Sequence, residues 1–417
     1  MKANELNNIL IKVKKASYVI GQISPREKAS VIMSIEKTLR NNKESILKAN
    51  LRDVNKSQKS GATGAFIDRL RITEAGFDGI LRELKAVSKF PEPVGEVVER
   101  RSLPNGIQLQ KKRFPLGVIL MIYESRPNVT IDAASLCLKS GNAVILKGGS
   151  EAYQTNQVMI TLIHKVLVKF GIPVNAITLL KPISHSDIKK LLKRSDIIDV
   201  VIPRGNYGLT TTVAKESQIP VLHHASGGAR MYIDKTANLD IALSVCVNAK
   251  TQRVGVCNAL DVVLVHKDIA KRLLLTLDKS LHEKKVQVRA DLRAKKIMTH
   301  SILAKDKDYE TEFLDHIIAV KIVDSADEGI NFIKKHTHGH TEVIIAKSAN
   351  LIQKFITEID AAGIMINCSS RLHDGGEFGM GAEMGTATGK LHARGPVGAR
   401  ELTTYKWIAY GQGQIRG

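Results

Sequence analysis

The sequence predicts an α/β protein of two packed Rossmann-type domains with parallel-sheet cores and a β-hairpin beside them. Three observations carry that expectation. Short continuous apolar runs alternate with helix-like segments, a second series of such runs begins near Arg230, and an Asn-Gly pair lies between two extended stretches ahead of the first series. Strands that are apolar throughout and separated by helices belong to a parallel sheet covered on both faces.

From residue 1 to about 90 the pattern is helical. Ile9, Val13, Ala16 and Ile20 recur at spacings of three and four, and Ser24-Pro25 is a helix-opening signal. Residues 97–110 follow, where Asn105-Gly106 tolerates the positive φ of a tight hairpin turn. The runs 117–123, 143–147, 176–180 and 199–202 supply a first sheet; 231–234, 260–265 and 342–346 supply a second. No repeat, low-complexity tract or flexible linker separates the two regions.

At ~150 residues per domain, 417 residues suggest two or three domains, enough to bury a large core without disulfides or metals. The hydrophobic share of 43% and charged share of 25% are those of an ordinary globular chain, and no window approaches the ~18 apolar residues of a membrane span. Met1-Lys2-Ala3-Asn4-Glu5 does not lead into an apolar signal segment, so a cytoplasmic protein is expected. The formal charge of +21, from 62 basic and 41 acidic residues, would suit a nucleic-acid binder. Yet the basic residues come as scattered groups such as Lys14-Lys15, Lys111-Lys112-Arg113 and Lys284-Lys285, with no aromatic-interleaved patch along the chain. A cationic surface that attracts anionic metabolites is expected instead, with no nucleic-acid or membrane partner.

Two loops have ligand-binding form. Ile145-Leu146-Lys147-Gly148-Gly149-Ser150 and Ile202-Pro203-Arg204-Gly205-Asn206 each put a cation and glycine where an apolar strand ends and a helix begins, which suits phosphate or ribose hydroxyls. Neither is a GxGxxG or a P-loop, and a plain turn is the other reading of each. Two of them in one sheet favour a dinucleotide.

Among four scattered cysteines, Cys257 lies in Gln252-Arg253-Val254-Gly255-Val256-Cys257-Asn258, where Arg253 or Lys250 and backbone N–H groups would stabilise a thiolate; a small core residue is the other reading of a lone cysteine. Cys137 and Cys246 stand at helical spacing among small apolar residues and read as core; Cys368 follows the buried-looking Ile364-Met365-Ile366. His336-Thr337-His338-Gly339-His340 would align three imidazoles on one face if extended. Only Glu342 stands at supporting spacing and Lys334-Lys335 would repel a divalent ion, so no metal is expected. The glycine-rich stretch 371–381 reads as a loop that lets backbone approach a ligand, or as a connector.

These residues carry a resemblance. Ala49-Asn50-Leu51-Arg52-Asp53, Asp68-Arg69-Leu70, Pro115-Leu116-Gly117-Val118, Tyr123 to Thr130, Lys147-Gly148-Gly149, Ala249 to Arg253 with Cys257-Asn258-Ala259, Asp374 to Gly379, and His392 to Pro396 are similar, over nearly the full length, to the gamma-glutamyl phosphate reductases (glutamate-5-semialdehyde dehydrogenases) of the aldehyde dehydrogenase superfamily. The resemblance implies an aldehyde-dehydrogenase-like fold. Residues 1–96 and 114–229 would be the NADPH-binding domain, 230–395 the catalytic domain, and 97–113 with 396–417 the hairpin and tail, including Thr403 to Arg416, that join subunits of a homo-oligomer. It implies reduction of L-glutamyl 5-phosphate by NADPH to the semialdehyde and phosphate, the second step of proline biosynthesis, with glutamate 5-kinase as pathway neighbour.

By the same resemblance Cys257 is the nucleophile. Lys147, Gly148, Gly149, Ser150, Pro203, Arg204, Gly205, Ser226, Gly227 and Glu312 hold NADPH, Glu312 at the nicotinamide ribose. Ser125 or Asn258 would aid backbone N–H groups in holding the oxyanion, and Arg126, Asn128, Lys250, Arg253, Arg371 and Arg394 are candidates for the substrate's anionic groups. Ala225 stands where aldehyde-oxidising relatives have a glutamate that activates water, and a reductase must spare its thioester. The chain departs from the family's usual Gly-x-Cys-His at Gly227-Gly228-Ala229-Arg230 and from Tyr or His followed by Gly-Ser at His336-Thr337-His338; Asp261 replaces a usual Glu and Val254 a usual Pro. Cys257 and both cofactor loops are untouched. An aldehyde dehydrogenase of other substrate, or a non-catalytic nucleic-acid binder on this fold, are the alternatives.

Overall fold

The computed structural model describes residues 3–223 and 226–416. They form two compact units: one runs to His223 and regains the chain at 379–385 and from 391 onward, and the other takes the residues up to Phe378 together with 386–390.

The first unit opens with five helices, α1 (Ala3–Ile20), α2 (Pro25–Asn41), α3 (Lys43–Lys59), α4 (Gly64–Leu70) and α5 (Glu74–Lys89). Ser24 caps α2, its hydroxyl accepting the Glu27 N–H, and proline occupies the first turn where no N–H is needed. Two residues of the Asn50–Asp53 motif tie this layer together. Asn50 donates to Leu70 O at 2.9 Å and accepts from Ile72 N–H at 2.7 Å, and Asp53 accepts from the Thr155 backbone and hydroxyl at 2.8 and 2.6 Å.

Next come the hairpin strands β1 (Val97–Ser102) and β2 (Gln108–Pro115), then β3 (Val118–Tyr123), α6 (Pro127–Lys139), β4 (Ala143–Lys147), α7 (Tyr153–Lys169), β5 (Ile177–Leu179), α8 (His185–Leu191), β6 (Val200–Arg204) and α9 (Tyr207–Glu216). The parallel sheet has the order β5-β4-β3-β6, and β3 is buried along its whole length. Val118, Leu120 and Ile122 pack with Leu10 and Val13 of α1. The Asn105-Gly106 hairpin forms as its sequence requires, and the C-terminal strand Thr403–Tyr410 adds antiparallel to β2, opposing Lys111 with Trp407. Across these strands Lys111 lies over Tyr405 and Trp407, at 4.4 and 5.3 Å from the ring centres, and Lys406 lies over Phe114 at 3.7 Å. An aromatic-basic patch invisible along the chain therefore exists between strands, although its cations are already stacked on its rings.

The second unit alternates β7 (Ala229–Ile233), α10 (Leu239–Thr251), β8 (Leu260–His266), α11 (Lys267–Glu283), β9 (Gln287–Ala290), α12 (Leu292–Lys295), β10 (Ser301–Leu303), β11 (Ile317–Val323), α13 (Ala326–His336), β12 (Thr341–Ile345), α14 (Ala349–Glu358) and β13 (Gly363–Ile366). All seven strands are parallel in the order β10-β9-β11-β8-β7-β12-β13. Met231, Val263 and Val343 face Cys246, Leu273 and Leu277 on one side, while Tyr232, Leu264 and Ile344 face Ile330, Ile333 and Phe355 on the other.

Two sequence expectations change here. The run 364–366 is an edge strand in which only Met365 is buried. The three histidines are not extended: His336 ends α13, His338 lies in the following loop and His340 leads into β12. Among the described residues no helix is long and apolar enough to cross a membrane.

Candidate active site

In the first unit, Lys147 ends β4 and Arg204 ends β6 on either side of β3, in register with Ile122 and Tyr123. The strand order reverses between β3 and β6, and the carboxyl ends at such a switch point are where doubly wound sheets bind ligands. The segment after β3 links the two loops. Glu124 Oε2 accepts the Asn206 N–H at 3.0 Å, and Glu151 Oε1 accepts from the Ser125 hydroxyl and N–H at 2.6 and 3.2 Å. Both carboxylates stand against the loop glycines, so a β-carbon on Gly149 would strike Glu151 and one on Gly205 would strike Glu124. Burial opposes the ionisation of Glu151, but the hydrogen bonds from Ser125 and from its own N–H, with the Lys147 charge, together outweigh it and hold the carboxyl below its usual range. Burial lowers the Lys147 pKa against the pull of Glu151 and Glu124.

The remaining predicted residues of this unit are spread around these loops. Pro203 is buried in β6, Gly148 is half-buried, and exposed Ser150 donates to Glu151 at 3.4 Å. Arg126 precedes the first turn of α6; Asn128, in that turn, donates to Asp132 at 3.0 Å. Burial, reinforced by Glu83, keeps Asp132 well above the ordinary carboxyl range. Arg394 is half-buried. Ser125 has its hydroxyl committed to Glu151, and neither Glu124 nor Glu151 was singled out from sequence, because a carboxylate beside a phosphate-type loop has no motif.

The second unit gathers its chemistry at the opposite end of a sheet. The loops entering β7, β8, β11 and β12 all arrive at the amino ends of adjacent strands. They carry Ser226-Gly227-Gly228, Cys257-Asn258, Glu312-Phe313 and Thr337-His338. A β-carbon on Gly227 would come within 2.5 Å of Cys257 Cβ and strike the Glu312 carboxylate, so only glycine lets these three meet. Ser226 donates to Glu312 Oε2 at 3.2 Å, and Gly228 N–H donates to Cys257 O at 2.6 Å. Gly228 has φ +88° and faces the Asp261 carboxylate. Cys257, Ser226, Gly227 and Glu312 are thus brought together.

Cys257 is half-buried and none of the four cysteines is in a disulfide. Burial pushes the Cys246 thiol up to about 12 and also raises those of Cys137 and Cys368. Arg371 and Cys257 act on one another electrostatically, with Arg253 and Asp374 in the same field, although burial is the main influence lowering the Arg371 pKa. Arg253 is exposed in the loop ahead of the cysteine.

Two predicted residues have structural partners instead of open faces. Lys250 is fully buried and pairs with Asp261 at 3.1 Å; burial depresses the lysine, and raises Asp261 to about 6 against the pull of Lys250. Asn258 is clamped: it donates to His373 O at 3.0 Å, accepts from Arg371 Nη1, and its carbonyl accepts the Ser370 hydroxyl at 2.6 Å. His373 is itself buried, with Nδ1 2.8 Å from the Thr341 hydroxyl. Sequence offered no reason to select His373, whose carbonyl holds the Asn258 amide beside Cys257. Ala225, the expected missing base, lies outside the described residues. Among the described residues no group of three or more His, Cys, Asp or Glu side chains is arranged to hold a metal.

Comparison with known proteins shows what the chain is similar to. The aldehyde dehydrogenase family model matches residues 1–309. The gamma-glutamyl phosphate reductase of Dehalococcoides mccartyi is 44% identical over 409 residues, covering 97% of this chain and 96% of its own. That of Enterococcus faecalis is 42% identical and covers 100% of both chains. The crystal structure of gamma-glutamyl phosphate reductase from Thermotoga maritima superposes with a TM-score of 0.95 at 38% identity, covering 99% of this chain and 100% of that one.

Proposed function

The chain belongs to the aldehyde dehydrogenase family, and within it to the gamma-glutamyl phosphate reductases, and from that membership we propose that it reduces L-glutamyl 5-phosphate to L-glutamate 5-semialdehyde with release of phosphate, through a thioester on Cys257. The observation that carries the catalytic assignment is the packing of Cys257 and Glu312 against Gly227. In this reading the Cys257 thiolate attacks the acyl carbon, the C–O bond to phosphate breaks, and a thioester remains. Arg371 and Arg253 supply positive charge for the thiolate and for the departing anion. The oxyanion falls to backbone N–H groups, since the Ser125 hydroxyl serves Glu151 and the Asn258 amide serves His373.

A nicotinamide cofactor, which we propose is NADPH, supplies hydride to the thioester carbon when bound. Lys147 and Arg204 fit its phosphates: they are cations at the carboxyl ends of the two strands that flank β3, each beside a glycine. Ser226, Gly227 and Glu312 fit its ribose, Glu312 being a carboxylate that accepts hydroxyl hydrogen bonds. The alkoxide left after hydride addition re-forms the carbonyl, the C–S bond breaks with its electron pair going to sulfur, and the aldehyde leaves with Cys257 restored as a thiolate. Arg126 and Arg394 are kept for the substrate's carboxylate. The hairpin and C-terminal strand join subunits of a homo-oligomer, the protein is cytoplasmic, and an enzyme that phosphorylates the glutamate side chain, a glutamate 5-kinase, precedes it.

The test is NADPH oxidation with enzymatically generated glutamyl phosphate. Oxidation dependent on that acyl phosphate, and lost in Cys257→Ala, is expected; oxidation that persists in the variant, or none in the native protein, overturns the assignment.

A further inference from the structure

Behind the Gly227-Gly228 turn lies a buried polar cluster that no step above uses. Arg230 is 2% exposed and Glu342, opposite it on β12, is fully buried. Glu342 Oε2 accepts the Arg230 backbone N–H at 3.0 Å; Oε1 lies 3.6 Å from Arg230 Nη1 and accepts the Thr337 hydroxyl at 2.5 Å. The guanidinium then reaches back, Nη1 donating to Gly228 O at 3.3 Å. His338 does the same from the loop before β12, with Nδ1 2.8 Å from Gly227 O and its ring 3.4 Å from Arg230 Nη2. A carbonyl only accepts, so this Nδ1 carries a proton. Burial and the neighbouring Arg230 push the imidazole pKa down, against the hydrogen bond to Gly227 O and the weaker pulls of Glu312 and Glu310, which leaves the ring neutral.

Both carbonyls of the turn are therefore gripped from one side. On the other side the Gly228 N–H is spent on Cys257 O, and Gly227 is wedged against Cys257 Cβ and Glu312. Any displacement of the turn carries the thiol and the carboxylate with it. Arg230 and His338 stand 108 residues apart, and they touch. A buried ion pair alone says little about stability, but here Nη1 also donates to the Gly228 carbonyl and Nη2 meets the His338 ring that holds Gly227 O. We infer that Arg230 and His338 act as one pair of positioning residues, which fix the Gly227-Gly228 turn and through it the placement of the Cys257 thiol against Glu312.

The inference rests on Cys257 as the nucleophile, so its test includes a measurement that needs neither substrate nor cofactor. In the full-length protein, Cys257 alkylation by iodoacetamide is followed against pH by peptide mass spectrometry, alongside kcat and KM for glutamyl phosphate. The variants are Arg230→Met with Glu342→Gln, which keeps the interior uncharged, His338→Ala, the combination of all three, and Arg230→Lys. Each lesion is expected to shift the alkylation pH profile and lower kcat about 10–100-fold with KM within about twofold. The combination should be no worse than the more severe lesion, and Arg230→Lys should recover part of the loss. Folded variants with native alkylation and kcat, or lesions whose effects multiply independently, overturn it. Should the Arg230 lesion not fold, His338→Ala, whose side chain is only half-buried, decides the matter alone. A shifted thiol profile in a protein inactive on glutamyl phosphate keeps the positioning role and rejects the proposed function instead.

Discussion

Arg230 and Glu342 are register partners on adjacent parallel strands as well as an ion pair, so one carboxylate satisfies both the backbone N–H and the guanidinium of the same residue. Burial raises the Glu342 pKa to about 7 against the pull of Arg230, so above that pH removing the carboxylate charge alone leaves an unpaired cation in the interior. Glu342→Gln is expected to destabilise the protein by about 3–5 kcal/mol, and adding Arg230→Met should restore most of that. Urea denaturation of the single and double variants checks it; an unchanged single variant would refute the pairing.

Gly227 admits no side chain. Gly227→Ala should lower kcat about 100-fold by separating Cys257 from Glu312, and destabilise the fold by about 1–3 kcal/mol. Native turnover in this variant would mean that the close packing of the three residues is dispensable.

The cysteines should divide by environment. Cys257→Ala is expected to abolish turnover with unchanged Tm, whereas Cys246→Ser should keep turnover and lose about 1–3 kcal/mol, since its hydroxyl enters an apolar core. Thermal melts and steady-state rates separate the two; retained activity in the Cys257 variant sinks the covalent route.

His373 predicts an acid-sensitive step in stability. Burial, with His340 adding to it, lowers the imidazole from its usual ~6.5 to about 4. A depressed folded pKa means that the unfolded chain takes up the proton first, so this contribution is complete above pH ~6.5 and is lost as pH falls through about 4. Its size is of order 3 kcal/mol. Urea midpoints at pH 7 and pH 4.5 should converge in His373→Gln relative to the native protein; an equal drop in both would show that other groups carry the effect.

Run in reverse, oxidation of the semialdehyde should require inorganic phosphate, because Ala225 offers no base to activate water against the thioester. The measurement is steady-state NADPH formation against phosphate in phosphate-free buffer. Turnover beyond one equivalent of enzyme at zero phosphate would mean that water deacylates the enzyme.

What the sequence made legible follows from how local each signal is. Lys147 and Arg204 stand out as candidates because an apolar strand, a cation and a glycine are consecutive; Cys257 stands out through the family resemblance together with its basic and glycine neighbours. The roles of Asn258 and Arg230 could not be read, since Asn258 is clamped by a carbonyl 115 residues later and Arg230 by a histidine 108 residues later. Strand β9 hides because Gln287 and Arg289 interrupt its apolar residues, whereas in β13 the apolar run is plain and what the sequence does not show is its edge position, which leaves only Met365 of its three large side chains buried. The carboxylates of Glu124 and Glu151 escaped for a chemical reason: cations, not acids, are sought at a phosphate loop.

The antiparallel sheet that unites β2 with the last strand has a consequence during synthesis. The Arg113 guanidinium bonds to the Thr403 hydroxyl across 290 residues of chain, within a strand pair that cannot close until both have left the ribosome. At roughly 5–20 residues per second, one side of β2 waits about 15–60 s for its neighbour. Through that interval a bare strand edge, bearing exposed Phe114, is offered to any other nascent chain, and the alternating Lys111, Lys112 and Arg113 beside it serve as its electrostatic guard.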